Sequence, residues 1–449
     1  MEKSDTYSTQ IVVTRFAPSP TGFFTLGNCR TALFNYIYAR QHEGKFILRI
    51  EDTDKERSKK EYEDDILENF KWLGFSHDEF YRQSERGDVY RRYLEKLITE
   101  GKAYVSKEEM VKEGDRSEVI RFKNPGTKIC FADLIRGEVC FDTTELKDFV
   151  IAKSLDEPVF HFAVVIDDFE MGVTHVIRGE DHISNTPRQI LVQEAIGAPR
   201  PAYAHLPLIL APDRSKLSKR NGGMSIRECR ERGYLPEAVI NYLALLGWNP
   251  GTDQEKLSLE NLILQFRLNK IQKGGAVFNP EKFNWVNKEY IRDLPQEKMT
   301  EIIGQYAAAA GKTLPGEMAV KITPLVTERV EKLEDLKAMF DSGELDFFVG
   351  TPEYPAEKLS WKDTPKEKTI TNLKTALTIL STLSEEEFNA TEVKEALWEY
   401  AEKEGRGNVL WPIRFSLSGK DKSPDPFTLA SVLGKKETLA RISSAIQKL

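Results

Sequence analysis

The sequence predicts a parallel α/β domain that is interrupted by a small antiparallel insertion and followed by a mostly helical region. Strand-like and helix-like segments alternate up to about Gly101, which is typical of βαβ units in a parallel sheet covered by helices. Short strand-like segments joined by turns follow. From about Ser225 the apolar residues recur mainly at helical spacing, and the C-terminal third shows no convincing strand. The 449 residues suffice for two to four domains, at roughly 100–200 residues per domain.

The first segment carries two predicted strand–helix units. The apolar run IVVTRFA predicts a buried strand, and Arg30 to Gln41 predicts a helix. The run KFILRI predicts a second strand, which ends in the acidic turn EDTD. A second helix is predicted over Ser58–Gly74, because glycine favours the end of a helix. The apolar residues of this helix recur at helical spacing: Tyr62, Ile66, Phe70 and Leu73.

Three further strands, VIRFK, KICFAD and EVCFD, are joined by the turns NPGT and IRG and predict a small antiparallel insertion. Strand–helix alternation then resumes with the predicted strands VFHFAVVIDD and THVIRG, a helix from about Asn185 to Ile196, and the strand AHLPLIL. Helices are predicted for YLPEAVINYLALLGW, LENLILQF, KTALTILSTL and EVKEALWEYAEK. The insertion therefore splits the α/β domain in two.

The composition favours a globular protein, since 40% of the residues are hydrophobic and 30% are charged. A net charge of −7 argues against wholesale non-specific binding of nucleic acid but allows a local basic surface. The N-terminal MEKSDTYSTQ lacks the apolar core of a signal peptide, and no apolar run reaches the length of about 18 residues that a membrane helix needs. We expect a cytoplasmic protein. The spacing of the four cysteines indicates neither a zinc site nor a disulfide framework.

The loop PSPTGFFTLGN, Pro18 to Asn28, lies where a predicted strand passes into a helix. Gly22 and Gly27 would allow a phosphate to approach the backbone, and the N-terminus of the following helix favours anions. Two glycines are a weak signal, so the local pattern fits an ordinary βα turn equally well.

The segment RSKLSKR, Arg214–Arg220, contains four cations within seven residues. Lysines can neutralise the charge of pyrophosphate, and serines can donate hydrogen bonds to phosphate oxygens. Taken alone, such a basic run is more often a solvated surface loop.

Polar residues also lie at predicted strand ends: Arg15, Ser19, Glu51 and Arg178. Two arginines and one carboxylate would suit a ligand that carries two carboxylates and one ammonium group. The alternative for each charged residue is a surface ion pair, and the acids of Glu51–Asp54 could simply stabilise a helix N-terminus.

Six segments occur in one order with sensible spacing: VVTRFAPSPTG, LGNCRTALFNY, FILRIEDTDKERS, THVIRGEDHISNTPRQI, KLSKR and YLPEAVINYLALLGW. Together with the tail WPIRFSLSGKDKSPDPFTLASVLGKKETLARI, they resemble the bacterial-type glutamyl-tRNA synthetases, a family of class I aminoacyl-tRNA synthetases. The resemblance covers essentially the whole chain. It implies a Rossmann-like catalytic domain split by a small α+β connective insertion, then a helical stem-contact region and an all-α anticodon-binding domain. The implied boundaries are 1–84 and 160–215 for the two catalytic halves, 85–159 for the insertion, 216–293 for the stem-contact region with its KLSKR loop, and 294–449 for the anticodon-binding domain.

The resemblance also implies a two-step reaction. ATP and L-glutamate would give glutamyl adenylate and pyrophosphate, and the glutamyl group would then pass to the 3′-terminal adenosine of tRNA(Glu). The family generally needs bound tRNA for the first step and uses Mg²⁺. We expect a monomer without a membrane partner.

Individual roles follow from matching the family's motifs to this sequence. Pro18–Asn28 matches the "HIGH" region and Lys216–Arg220 matches the "KMSKS" motif. The resemblance assigns the catalytic role to Lys219, Ser218, Lys216 and Thr25. It assigns ATP binding to Pro18, Ser19, Pro20, Thr21, Gly22, Thr25, Gly27, Asn28 and Lys219. The implied glutamate-binding residues are Arg15, Ser19, Glu51, Phe160 and Arg178, with Glu51 on the ammonium group and the arginines on the carboxylates.

The sequence departs from the family pattern at Thr25, where the first histidine of "HIGH" is usual, and at Phe160, where a tyrosine is common. Alternation along the predicted strand would point His161 away from Phe160. The insertion retains only Cys130 and Cys140, which we expect to be ordinary buried thiols, and we predict no zinc.

Two alternatives therefore stay open: a catalytically weakened tRNA-binding paralogue, and a non-discriminating enzyme that also charges tRNA(Gln). The long helical C-terminal region disfavours a truncated tRNA-modifying relative, and the lack of strands there disfavours a glutaminyl-tRNA synthetase, whose relatives end in β-barrels.

Overall fold

The computed structural model describes residues 11–108 and 117–449. The chain forms two compact units, of which the N-terminal one ends at Asn287 and the C-terminal one begins at Lys288. Every helix in the described ranges is too short or too polar to span a bilayer.

The N-terminal unit alternates strands and helices along the chain. Its strands are β1 (Val13–Phe16), β2 (Lys45–Ile50), β3 (Glu79–Arg82), β4 (Ala103–Lys107), β5 (Glu118–Phe122), β6 (Lys128–Asp133), β7 (Gly137–Asp142), β8 (Phe149–Ser154), β9 (Glu157–Pro158), β10 (His175–Gly179), β11 (Ala202–Leu206), β12 (Ile209–Leu210) and β13 (Ala276–Val277). Its helices are α1 (Leu26–Gln41), α2 (Lys60–Leu73), α3 (Gly87–Thr99), α4 (Phe160–Glu170), α5 (Thr186–Ile196), α6 (Ile226–Glu231), α7 (Pro236–Leu245), α8 (Leu259–Gln265) and α9 (Pro280–Arg292), which contains the boundary between the units.

Parallel strands form the centre of the N-terminal unit. One set pairs in the order β1-β2-β3 and a second in the order β10-β11-β6-β7, and only the β6–β7 pair is antiparallel. The sets lie side by side, because the backbone N–H of Thr174 donates to the Val13 carbonyl at 3.0 Å and the Thr174 hydroxyl accepts from the Val13 N–H at 2.8 Å. The predicted parallel sheet is confirmed. The carboxyl ends of β1, β2 and β10 share one edge, which is where open α/β sheets bind ligands.

The residues at the two ends of α2 explain why this segment forms a helix. Two glutamates lie in its first turn, where the helix dipole favours negative charge, and Gly74 ends the helix with a φ of 74° in the left-handed region. The buried face packs against the sheet through Phe70, whose ring lies 5.7 Å from that of Phe16 and 6.2 Å from that of Phe46. The predicted helix over Ser58–Gly74 is confirmed.

The segment VFHFAVVIDD is a helix, and its prediction as a strand was wrong. Helix α4 begins at Phe160 and buries an uninterrupted run from Phe162 to Asp168. An apolar run buried on all sides has no periodicity that separates a helix from a strand, which is the physical reason for the error. The prediction that His161 points away from Phe160 assumed a strand and therefore does not apply. The two rings are in contact, with 5.6 Å between their centroids.

The strand-like segments of the predicted insertion divide between two sheets. Strands β4, β5, β8 and β9 form an antiparallel sheet, whereas β6 and β7 extend the sheet of β10 and β11 through the pairing of Asp133 with Tyr203. The expectation of free thiols was also wrong, because Cys130 and Cys140 form a disulfide. They are ten residues apart, and only the register of the β6–β7 hairpin sets them directly opposite each other.

The C-terminal unit, all of which the structure describes, contains helices and no strand, as predicted. Its helices are α10 (Gln296–Ala309), α11 (Gly316–Thr327), α12 (Glu334–Asp341), α13 (Asp346–Val349), α14 (Lys366–Thr382), α15 (Ala390–Glu404), α16 (Arg406–Ser418), α17 (Pro426–Leu433) and α18 (Lys435–Lys448). The buried guanidinium of Arg441 donates to the carbonyls of Phe347, Gly350 and Leu417. A cation thereby satisfies carbonyl groups at the ends of two helices.

The buried His175 is expected to make the stability of the N-terminal unit depend on pH. Burial, with a smaller contribution from His42, lowers the pKa of His175 to about 4. The unfolded chain, with an ordinary histidine pKa of about 6.5, takes up this proton first, so stability is full above pH 6.5 and falls as the pH drops toward 4. We expect His175 to contribute a loss of about 2.5 kcal/mol between pH 7.5 and 4.5.

Urea denaturation at both pH values checks this, with His175→Gln as the comparison. The variant should lose about 2.5 kcal/mol less than the wild type over this interval. Equal losses in the two proteins would show that His175 is not responsible.

Candidate active site

A cavity of about 830 Å³ opens at the edge formed by the carboxyl ends of β1 and β10. Of the residues predicted for the site, those lining the cavity are Arg15, Pro18, Ser19, Thr21, Gly22, Thr25, Gly27, Asn28, Glu51, Phe160, Arg178, Lys216, Ser218 and Lys219. Pro20 does not line the cavity. It is buried, and its carbonyl accepts the N–H of Lys59 at 3.0 Å. One cavity therefore brings together five parts of the chain that are distant from one another in the sequence.

The loop Pro18–Asn28 is held on the unit by its backbone. The carbonyl of Pro18 accepts the N–H of Glu51 at 2.9 Å, and the N–H of Phe24 donates to the Asp65 carboxylate at 2.8 Å. A Cβ built at Gly22 would meet no atom within 4 Å, so the cavity is open beside this backbone. A ligand phosphate could approach the loop there without displacing a side chain.

Arg178 is a buried cation that donates its hydrogen bonds to two uncharged side chains. It is 6% exposed, its Nε donates to His205 Nε2 at 3.1 Å, and its Nη2 donates to Thr186 Oγ1 at 2.8 Å. No carboxylate of the described chain forms an ion pair with it. Burial lowers the pKa of Arg178 to about 10, against a smaller opposing effect of Tyr203. An anionic ligand in the cavity would stabilise this charge.

Arg15 and Glu51 differ from Arg178, because each already has an oppositely charged partner. Arg15 Nε lies 3.1 Å from Asp168 Oδ1, and Arg49 Nη2 lies 3.0 Å from Glu51 Oε1. Arg49 also pairs with Asp168 at 2.8 Å and so joins the two pairs. Burial raises the pKa of Glu51, although Arg49 and Arg15 oppose the shift. Burial likewise opposes the ionisation of Asp168, but Arg15 and Arg49 outweigh it and hold the pKa of Asp168 below its ordinary value.

The KLSKR segment forms an exposed loop whose shape depends on Asn221. Asn221 Oδ1 accepts from the Ser218 N–H at 2.6 Å and from its hydroxyl at 3.0 Å, while Nδ2 donates to the Lys216 carbonyl at 3.0 Å. The ammonium group of Lys216 lies 3.1 Å from Asp181, and that of Lys219 lies 5.0 Å from the centre of the Phe23 ring. Both lysines are exposed, so a polyanionic ligand in the cavity could attract them away from these weak partners.

Comparisons with known proteins agree with this geometry. The family model described as "tRNA synthetases class I (E and Q), catalytic domain" matches residues 11–113 and 106–285, and the "Anticodon binding domain" model matches 288–446. This chain belongs to the class I tRNA synthetases of the E and Q group.

Named relatives of this class I synthetase include a "Glutamate--tRNA ligase" of Aquifex aeolicus, 42% identical over 98% of this chain and 99% of the relative. "Glutamate--tRNA ligase 1" of Caldanaerobacter subterraneus subsp. tengcongensis is 40% identical over 96% and 97%. A solved glutamate tRNA ligase from Elizabethkingia meningosepticum, in complex with its amino acid, is 34% identical with a TM-score of 0.86, over 98% of this chain and 99% of that chain.

The departures from the family pattern have local structural consequences in this synthetase. Thr25 is the N-cap of α1, and its hydroxyl accepts the N–H of Asn28 at 3.3 Å. The helix therefore begins before Arg30, where it was predicted to start. Phe160 is the first residue of α4, and its ring lies 5.5 Å from that of His182, which also lines the cavity.

We expect Thr25→Ala to destabilise the N-terminal unit of this synthetase by about 1 kcal/mol, because α1 loses its cap. Thr25→Ser keeps a capping hydroxyl and should be close to the wild type. Thr25→His should also lose the cap, so any gain in rate would come with a similar loss of stability. Chemical denaturation of the three variants measures this, and equal stability of the serine and alanine variants would contradict it.

Sequence reasoning missed several residues that shape the site: Arg49, Asp133, Asp168, His205 and Asn221. Some signal was present for Arg49 and Asp168, since each is a charge within or next to an apolar run, where an unpaired charge would be costly. The sequence carries no local signal for the contact between Asp133 and His205, which are 72 residues apart.

Proposed function

We propose that this synthetase is a glutamate–tRNA ligase, which activates L-glutamate with ATP and transfers it to the 3′ end of tRNA(Glu). The observation that carries the proposal is the buried, unneutralised Arg178 in the same cavity as Glu51 and the KLSKR lysines. Such a cavity offers a cation to a side-chain or α-carboxylate, an anion to an ammonium group and exposed positive charge to a triphosphate. The relatives named as glutamate–tRNA ligases support the same substrate.

Glutamate binding is assigned to the buried end of the cavity. Arg178 would receive a carboxylate, because no carboxylate of residues 11–108 and 117–449 forms an ion pair with it. Glu51 would accept the ammonium group, with Arg49 keeping the carboxylate in place. Arg15 is already paired with Asp168, so it would bind the second carboxylate of glutamate only while it keeps its ion pair with Asp168. Ser19 and Phe160 line the cavity and would complete the glutamate pocket.

Adenylate formation needs positioning and charge stabilisation more than proton transfer. A glutamate carboxylate oxygen attacks the α-phosphorus of ATP, an O–P bond forms, and the bond to the bridging oxygen breaks so that pyrophosphate leaves with the electron pair. The loop Pro18–Asn28 and the N-terminus of α1 would hold the phosphates. Lys219 and Lys216 would stabilise the charge that develops on pyrophosphate, with Ser218 donating to a phosphate oxygen.

Magnesium is proposed to arrive as part of the MgATP substrate. Mg²⁺ usually keeps several waters and is held through substrate phosphates and one or two carboxylates. Residues 11–108 and 117–449 contain no cluster of three or more potential metal-ligating His, Cys, Asp or Glu side chains. The ion would neutralise phosphate charge together with the lysines.

The macromolecular partner is proposed to be tRNA(Glu). The match of residues 288–446 to an anticodon-binding model supports contact between the helical unit and the anticodon end. We keep the predicted domain boundaries, the monomeric state and the cytoplasmic location as parts of the proposal.

Thr25 and Phe160 favour one alternative, a catalytically weakened paralogue that binds tRNA. ATP–pyrophosphate exchange with glutamate, measured with and without tRNA(Glu), distinguishes the active ligase from the weakened paralogue. The proposal expects glutamate-dependent exchange, stimulated by tRNA(Glu). Absence of exchange under both conditions, together with retained tRNA binding, would establish the paralogue instead. Charging assays with tRNA(Glu) and tRNA(Gln) transcripts then decide whether the enzyme is non-discriminating.

A further inference from the structure

Arg178 is held by two uncharged acceptors, although a carboxylate is close behind one of them. His205 Nε2 accepts from Arg178 Nε at 3.1 Å, and Thr186 Oγ1 accepts from Arg178 Nη2 at 2.8 Å. Asp133 Oδ2 lies 2.6 Å from His205 Nδ1, on the far side of the imidazole ring. The side chains of His205 and Asp133 are completely buried.

We propose that Asp133, His205 and Thr186 form a positioning set that orients Arg178 without neutralising it, and that this sets the preference for a substrate carboxylate over the corresponding amide. The inference rests on the proposed glutamate-binding function of the cavity. It assigns the three residues to positioning rather than to catalysis, because they act through Arg178.

The hydrogen-bond geometry determines the form of the imidazole. Arginine has no acceptor, so Nε2 of His205 must offer a lone pair to Arg178 and carries no proton. The proton is therefore on Nδ1 and is donated to Asp133. Burial lowers the pKa of His205, and Arg178 adds to this against the opposing effect of the hydrogen bond that His205 donates to Asp133, so the ring is neutral at neutral pH.

Asp133 is itself fixed as an anion by backbone donors. Its Oδ1 accepts the N–H groups of Ile135 at 2.9 Å and Arg136 at 2.8 Å, and its Oδ2 also accepts the His205 N–H at 3.1 Å. Burial opposes its ionisation, but these hydrogen bonds and that of His205 hold the pKa of Asp133 below its ordinary value. The carboxylate thus selects one tautomer of His205 and keeps the ring between itself and Arg178.

This separation matters for selectivity. A carboxylate in direct contact with Arg178 would form a buried ion pair and would compete with the substrate for both the charge and the N–H donors. Neutral acceptors use only two of the five N–H groups of an arginine and leave its charge available. A glutamate carboxylate then gains a charge-assisted pair that the amide of glutamine cannot form.

Thr186 offers the sharpest test, because aspartate and asparagine have nearly the same shape and differ in charge. Thr186 is a buried residue at the first position of α5, where the helix dipole favours negative charge. We expect Thr186→Asp to raise KM for glutamate about 10- to 100-fold above that of Thr186→Asn in ATP–pyrophosphate exchange with tRNA(Glu). KM for ATP should agree within about twofold between the two variants. In Thr186→Asp, discrimination of glutamate over glutamine should fall by the same factor as kcat/KM for glutamate.

His205 supplies the second pair of variants. His205→Ala removes the acceptor and should raise KM for glutamate about tenfold, whereas His205→Gln restores a neutral acceptor and should stay within about threefold of the wild type. His175→Gln removes a buried histidine at the other end of β10 and should leave this KM unchanged. Equal KM values for the Thr186 aspartate and asparagine variants, both with wild-type melting temperatures, would overturn the proposal.

A spectroscopic measurement decides the matter if the Thr186→Asp variant does not fold, and it does not depend on glutamate activation. The ring ¹⁵N shifts of histidine-labelled wild-type protein, assigned through His205→Gln, should show a protonated Nδ1 and an unprotonated Nε2 for His205. A charged ring or the opposite tautomer would overturn the positioning set. Absence of glutamate-dependent exchange in the wild type would instead reject the proposed function, a result distinct from either tautomer outcome.

Discussion

Replacing Arg178 by glutamine is expected to lower kcat/KM for glutamate by about 30- to 3,000-fold, because truncating one partner of a buried, hydrogen-bonded charge pair costs about 2–5 kcal/mol. Glutamine keeps a polar side chain of moderate size but brings no charge. KM for ATP should change little, since the phosphates are assigned to the other end of the cavity. ATP–pyrophosphate exchange at varied glutamate and at varied ATP gives both constants.

Two controls sharpen this experiment. Arg178→Lys keeps a positive charge but loses the planar fork of donors, so it should recover part of the activity. Arg200 is partly exposed, pairs with Glu194 and does not line the cavity, so Arg200→Gln should behave as the wild type. A normal kcat/KM for glutamate in Arg178→Gln would remove Arg178 from the substrate site.

Replacing Lys219 by alanine is expected to lower the rate of adenylate formation by about 100- to 1,000-fold, the usual effect of losing one group that stabilises developing charge. The side chain is exposed, and its ammonium group lies 5.0 Å from the centre of the Phe23 ring, so its removal should not disturb folding. Glutamate affinity should be preserved because Arg178 and Glu51 are untouched. Pyrophosphate exchange measures the rate, and equilibrium binding of glutamate measures the affinity.

Arg220 provides the matched control for Lys219. It is the next residue in the same loop and is also exposed, but it does not line the cavity. Arg220→Ala should therefore retain nearly full exchange activity. Equal losses in the two variants would mean that the loop acts through its overall charge, and an undiminished rate in Lys219→Ala would exclude that lysine from the mechanism.

The predicted site depended on motifs more than on any single residue. Arg15, Glu51 and Arg178 were found because each lies at or near the carboxyl end of a predicted strand, and parallel strands bring those ends to one edge. Thr25 was interpreted through its place in a phosphate loop. The structure shows that its hydroxyl also caps α1, a role that depends on where the helix begins.

The errors had two physical causes. Helix α4 was mistaken for a strand because a segment buried on all sides has no polar face that reveals its period. The Cys130–Cys140 bond and the division of the insertion between two sheets depend on strand pairing, which a list of strands does not specify.

Local sequence alone determined the parallel α/β core, the helical C-terminal unit and the residues that carry charge to the cavity, because hydrophobic periodicity and strand-end position are properties of short segments. Only the tertiary structure decided which of those charges remains available. Arg15 and Arg178 are both arginines on neighbouring strands, yet Arg15 is paired with Asp168 whereas Arg178 meets the neutral ring of His205. That difference comes from residues far apart in the chain, since the electrostatic state of a buried group is set by all the elements packed around it.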